Sequence, residues 1–434
     1  MYNHTESEVL KKIGCRILPF LAVCFFIAYL DRVNVGFAAI TMNADLKLSA
    51  SAFGLGAGLF FFGYFILEIP SNLLLAKFGA RKWLARIMVS WGLISASMIF
   101  VRGEIPFYVL RFALGVAEAG FFPGVIFYMT AWFPESFRGR AIAWFMLAAP
   151  LSSLLGSPLS GLLLALDGTW GLRGWQLLFV VEALPAVLLG IATWFYLSDR
   201  PRDASWLTSS ETDWIERVLK EESNPRLQGN RASVWSVLVD PRIWALTLVG
   251  FSFIAGMIGL SLWLPQIVKS FGLSIRQTGL VTAIPYLIAA AGMVWWGRHS
   301  DKSGDRAWHV ALSGLLACVG LVVAALVKSP AISVAMLSLA ALGLFSGAPP
   351  FWSWASSTFS GTAAAAGIAL INSFANLGGF FGPALFGWFR HTTGSFTYSL
   401  VMLGLFPLMG ALLAIALSFT GGRGAVLPRV SESG

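Results

Sequence analysis

Charge is scarce in this sequence, and so are the residues that hold metals and disulfides. Only 12% of the 434 residues are Asp, Glu, Lys or Arg, and there are three cysteines and four histidines. Cys15, Cys24 and Cys318 have neither the spacing of a disulfide framework nor that of a zinc site, and read as free thiols. His4, His299, His309 and His391 are scattered, and no HExxH, GxSxG or GxGxxG occurs. Zinc hydrolases, serine hydrolases and dinucleotide enzymes are thereby disfavoured, and no cofactor, metal or catalytic group is expected. A charged fraction this low also excludes an ordinary soluble chain, in which about a quarter of residues are charged.

Apolar residues take the place of the missing charge. They make up 57% of the chain, with 18 Trp and 35 Phe. They fall in twelve runs of roughly 20 residues, each long enough as a helix to cross about 30 Å of hydrocarbon. The runs cover approximately 17–40, 53–76, 83–101, 106–132, 139–166 and 176–198, then 242–268, 277–297, 308–327, 330–354, 362–389 and 395–419. A transmembrane barrel would instead show segments of about ten residues with alternating polarity. The fold class is an all-α membrane protein. The first run is too long for a signal-peptide core and has no small-residue cleavage site after it, so it is expected to remain as a span.

Twenty-one of the 30 lysines and arginines fall on the N-terminal side of the membrane and seven on the other. That asymmetry places both termini in the cytoplasm of a multi-pass protein of the cell's inner membrane. It also accounts for most of the net charge of +9 without any nucleic-acid partner. KFGARKW at 77–83 and KSGDRAW at 302–308 share Lys, Gly, Arg and Trp at one spacing, 225 residues apart, each following the second span of its half. Two parallel six-helix bundles, 1–198 and 242–434, follow from this repeat. The polar segment 199–241 joins them. Ser210 and Asp213 suggest a helix start there, and Trp214, Ile215, Val218 and Leu219 form one apolar stripe along the inner face.

Six ionisable residues fall inside spans: Asp31, Arg32, Glu68, Arg111, Glu118 and Glu182, all in the first half. Each costs about 2.5–3.5 kcal/mol at a helix centre, so they must pair with one another or face a wet cavity. Arg111 and Glu118 are about 700° apart around their helix and about 10 Å apart in depth, so they line one wall. Asp31 and Arg32 differ by about 100° and need not share a partner. The four charges of Asp31, Arg32, Arg111 and Glu118 cancel when both acids are ionised. Protonating an acid then releases an arginine for an incoming anion. Glu68 and Glu182, taken singly, are expected to fix helix register through buried salt bridges.

Several motifs carry a more specific likeness: YLDRVNVGFA at 29–38, EIPSN at 68–72, RFALGVAEAGFFPG at 111–124 and INSFANLGGFFGP at 371–383. With the two-times-six arrangement, they make the chain resemble the major facilitator superfamily and, within it, the anion:cation symporter family. The resemblance implies proton-coupled import of a small organic anion by a monomer in the lipid bilayer, with a tartrate-like hydroxycarboxylate foremost. A sugar acid, an aromatic carboxylate or anion exchange on the same scaffold are its alternatives. By motif, Arg32 and Arg111 would bind the carboxylate, Asp31 and Glu118 would carry the coupled protons, and Tyr29, Tyr64, Trp352 and Asn372 would contact the cargo. Ala149 and Pro349 depart from the sugar-acid carriers' pattern, where polar or small polar residues stand.

Overall fold

A computed structural model describes residues 4–222, 239–358 and 361–421. Twelve helices in it are long and apolar enough to span a membrane. The first six are span 1 (Glu6–Asp45), span 2 (Ala50–Phe78), span 3 (Ala80–Phe100), span 4 (Glu104–Thr130), span 5 (Glu135–Leu164) and span 6 (Gly174–Tyr196). The others are span 7 (Pro241–Lys269), span 8 (Ile275–Ser303), span 9 (Arg306–Leu326), span 10 (Pro330–Ser357), span 11 (Gly367–Thr393) and span 12 (Phe396–Phe419). Number and order match the apolar runs. Span 1 begins about a dozen residues before its run, because Val9, Leu10 and Ile13 bury one face of an otherwise polar turn.

The repeated loops occupy equivalent places. Gly79 between spans 2 and 3 and Gly304 between spans 8 and 9 both have positive φ, +90° and +72°, which a side chain would strain. The last part of the connector and the C-terminal tail lie outside the described residues. Its first part forms the helix Ser209–Glu222. The cap is Thr208 rather than Ser210: its Oγ1 accepts from the Glu211 amide at 3.3 Å, and its own amide donates to Glu211 Oε2 at 2.8 Å. This reciprocal pair satisfies two donors that a helix start leaves free. Ile215 is fully buried, as the stripe requires.

The connector helix docks on the first half. Lys12 Nζ donates to Glu211 Oε2 at 2.7 Å, Trp214 Nε1 donates to Glu6 at 3.1 Å, and Glu222 accepts from the Glu135 amide at 3.1 Å. The Lys12 hydrogen bond holds the Glu211 carboxyl below its ordinary range. A carboxyl depressed on folding stabilises above its unfolded pKa, and that contribution is lost as pH falls through the folded value. Acidification should therefore loosen this helix, and Lys12→Ala should do the same at neutral pH. The pair is partly exposed, so the expected effect is about 1 kcal/mol at most, or about fivefold in amide protection over 209–222 by hydrogen exchange.

The halves meet closely on the face opposite the connector, called here the far face. A Cβ placed on Gly54 of span 2 would lie 2.5 Å from the Pro383 carbonyl of span 11, and one on Gly161 of span 5 would lie 3.0 Å from Gly279 Cα of span 8. Helix backbones can approach this closely where a glycine leaves room at the contact. Prolines break spans on the connector side of these contacts. Span 5 divides at Leu147, before Pro150, and span 10 at Gly347, before Pro349. A cavity opens between the halves at this level.

Candidate functional site

The cavity has a volume of about 150 Å³. Phe25, Phe122, Met257, Phe345 and similar apolar side chains form most of its wall, and Tyr29, Tyr64, Trp352, Asn372 and Asn376 add polar groups. Arg32 is the one charged residue that lines it among the described residues. Five of the residues that the motifs marked for cargo contact, Tyr29, Arg32, Tyr64, Trp352 and Asn372, thus come together from spans 1, 2, 10 and 11.

Arg111 does not join them. It is fully buried behind span 2, where its Nη2 donates to the Ala57 carbonyl at 3.3 Å while Nε and Nη1 have no hydrogen-bond partner among the described residues. The reason is helix packing: Gly115 brings span 4 so close that a Cβ there would stand 1.9 Å from the Phe60 carbonyl. The Phe60 ring is a common neighbour of both guanidinium groups, 5.7 Å from Arg32 Cζ and 5.1 Å from Arg111 Cζ. Both distances suit a cation facing a ring. Sequence reasoning missed Phe60, one of 35 phenylalanines with no distinguishing spacing.

Arg32 is held by Glu118. Its Nε donates to Glu118 Oε1 at 2.6 Å, and its Nη2 lies 2.6 Å from the same oxygen. Arg32 keeps 12% of its side chain exposed, whereas that of Glu118 is fully buried. The arginine is therefore the partner that an entering anion could reach. Glu118 is the last residue of the helix Glu104–Glu118, and a new helix starts at Phe121 after Gly120, whose φ is +86°. Pro123 cannot donate to the Ala119 carbonyl, and the freed oxygen accepts from Ser71 Oγ at 2.6 Å. Ser71 also accepts from Trp83 Nε1 at 3.0 Å. The serine of EIPSN thus secures the break that sets Glu118 in place.

Asp31 turns away from Arg32, as the 100° step allows. Its Oδ1 accepts from Ser95 Oγ at 2.5 Å and Asn34 Nδ2 at 3.1 Å. Asp31, Arg111 and Glu118 are all buried, and of the four charged residues Arg32 is the one that lines the cavity. The two remaining acids correct an expectation, since neutral groups hold both rather than a cation. Glu182 Oε1 accepts from Ser160 Oγ at 2.7 Å, with Asn34 and Asp31 beyond it. Glu68 Oε1 accepts from Asn372 Nδ2 of the other half at 2.5 Å. The residue types alone could not disclose that contact, because its partners are 304 positions apart.

The arrangement offers a cargo one cation, two phenol hydroxyls and two amides in a largely apolar wall. Tyr29 Oη and Glu118 Oε2 are buried without a hydrogen-bond partner among the described residues. Unpaired buried polar atoms of this kind call for a ligand or a second conformation.

Known proteins resemble this chain along nearly its whole length. A protein of Agrobacterium vitis carrying the name "Putative tartrate transporter" is 50% identical over 96% of this chain and 92% of its own. The "Quinolone resistance transporter" of Acinetobacter baumannii is 41% identical over 94% of both chains. Among solved structures, a bacterial homologue of the human lysosomal transporter Spinster superposes with a TM-score of 0.78 at 18% identity, over 98% of this chain and all of that one. The xylose transporter XylE of Escherichia coli gives 0.72 at 16% identity over 98% and 100%. The family model described as Major Facilitator Superfamily matches residues 21–383. With twelve membrane-crossing helices among its described residues, this chain belongs to the Major Facilitator Superfamily and is a membrane transporter rather than an enzyme.

Proposed function

We propose that the protein imports a small organic anion, a tartrate-like hydroxycarboxylate foremost, together with protons, as a member of the anion:cation symporter family. The observation that carries this reading is Arg32, the cavity's one charged lining residue among those described, held by a fully buried carboxylate. An ion pair of this kind is easily exchanged for another of equal charge. A proton arriving at Glu118 neutralises it, and the cargo carboxylate then takes its place on the guanidinium. Binding of anion and proton becomes linked because a bare buried cation or a bare buried carboxylate each costs several kcal/mol.

Asp31 and Arg111 extend the same logic behind the cavity wall. Tyr29 and Tyr64 hydroxyls and the Asn372 and Asn376 amides supply partners for cargo hydroxyls and a second carboxylate. The 50% identity to a tartrate-named relative favours that cargo. With the connector and both termini in the cytoplasm, the cavity lies on the cytoplasmic side of the closed far-face contacts, and the halves rock about it to expose it in turn. Each unit of inward pH gradient contributes about 1.4 kcal/mol per proton.

The test is uptake of radiolabelled tartrate, malate and benzoate by proteoliposomes with an imposed pH gradient. Accumulation that collapses with a protonophore supports the reading, while equal accumulation without a gradient overturns the coupling. Glu118→Gln should abolish gradient-driven accumulation while counterflow of preloaded anion persists, since a permanently neutral side chain leaves Arg32 free for cargo and carries no proton. The name of the quinolone-resistance relative favours a second reading, export of a drug. Efflux of a fluorescent quinolone from inverted vesicles, unaffected by tartrate, would favour it.

A further inference from the structure

The contact between Glu68 and span 11 has no place in that scheme. Glu68 is 2% exposed and lies in span 2, one helical turn from the cavity-lining Tyr64. Its Oε1 accepts the 2.5 Å hydrogen bond from Asn372, and Asn376 lies one helical turn further along span 11. Its Oε2 has no hydrogen-bond partner among the described residues. Beside it the Phe65 and Phe374 rings meet edge to face at 5.3 Å, so polar and apolar contacts bridge the halves together. Arg32, the cation that acts on Glu68, is already engaged by Glu118.

Asn372 and Asn376 are also the two amides that line the cavity. A carboxylate of the protein therefore occupies one of the donors that a cargo carboxylate would require. We propose that Glu68 is an internal stand-in for the cargo: in the empty carrier it takes the Asn372 amide and joins the halves, and an entering anion displaces it. The inference rests on the organic-anion reading and refines it, by assigning the second carboxylate of a dicarboxylic acid to the Asn372 and Asn376 amides. It also gives the empty carrier a way to change its orientation, since the link that cargo would make between the halves is already present without it.

Competition of this kind has a signature that a merely structural side chain lacks. Removing the stand-in should strengthen cargo binding while impairing the step that only the empty carrier performs. Glu68→Gln keeps the shape and loses the charge, and Glu68→Ala frees the amide. With that competing charged hydrogen bond removed, purified Glu68→Ala should bind radiolabelled tartrate about tenfold more tightly or better. Net uptake into empty proteoliposomes should fall about tenfold further than counterflow into tartrate-loaded ones, and Glu68→Gln should move both quantities in the same direction by less.

Unchanged or weaker tartrate binding in Glu68→Gln, with net uptake and counterflow falling in parallel, overturns the proposal and leaves Glu68 a packing or direct cargo group. Should Glu68→Ala fail to fold, the near-isosteric Glu68→Gln decides by the same two measurements. Failure of the unaltered protein to bind tartrate or any other tested organic acid overturns the parent reading instead, so the two failures are told apart.

Discussion

Replacing Arg32 with alanine is expected to reduce cargo binding by at least about a hundredfold, because a carboxylate loses two charge-assisted hydrogen bonds of about 1.5–3 kcal/mol each. The single variant also strands Glu118, fully buried, without its cation. Arg32→Ala combined with Glu118→Gln avoids that cost and isolates the guanidinium's role in binding. Radiolabelled tartrate binding to the double variant in detergent gives the answer, and affinity equal to the unaltered protein would end the assignment of Arg32 as anion ligand. Arg111→Ala should behave differently. Its side chain is not among those that line this cavity, and its loss leaves Asp31 and Glu118 buried with one buried cation fewer. Breaking a buried ionic group by removing one partner costs about 3–5 kcal/mol, so low yield and a reduced unfolding temperature are expected rather than a specific loss of affinity.

Gly54→Val should stop transport by a different route. The new side chain would have to fit where a Cβ already falls 2.5 Å from the Pro383 carbonyl and Gly387 Cα lies 3.0 Å away. Both obstacles are backbone, so the far face cannot close without separating spans 2 and 11. A carrier held open there binds from one side only, and uptake should fall at least tenfold, in keeping with the roughly 1–3 kcal/mol that overpacking of a tight contact costs. A single cysteine introduced at a cavity position, in a background lacking Cys15, Cys24 and Cys318, reads the orientation. Labelling by an impermeant thiol reagent added at the far face should rise in Gly54→Val. Lost transport with no rise in labelling would show general destabilisation instead.

Several features of this site were legible because they depend on chemistry that cannot be hidden in lipid. Six ionisable residues within spans stand out against their surroundings, and the step between Asp31 and Arg32 correctly announces divergent partners. Close helix contacts rest on glycine: Gly54 and Gly58 meet span 11, and Gly378 and Gly382 meet span 7 at Phe251 and Ala255. The capping pair of the connector helix was misplaced by two residues, since Ser210 and Asp213 resemble a cap as closely as Thr208 and Glu211 do. Only the backbone shows which pair satisfies the free amides.

The partners of the charges were not legible. Helical spacing puts Arg111 and Glu118 on one face and suggests a shared wall. In the folded protein that face meets span 2, and Glu118 reaches Arg32 of span 1 instead. Angular position on one helix fixes a direction but says nothing about which helix stands there. For the same reason Glu68 and Glu182 were expected to find cations and are held by an amide and a hydroxyl.

By itself the sequence determined the solvent and the twelve crossings, because each follows from the free energy of moving apolar or charged groups into hydrocarbon, residue by residue along the chain. Tertiary structure decided which arginine faces the cavity, which is sealed behind Phe60, and that an acid of one half grips an amide of the other. Those outcomes depend on distances between segments hundreds of residues apart, which are set by how closely helix backbones can approach and not by any local preference of the chain.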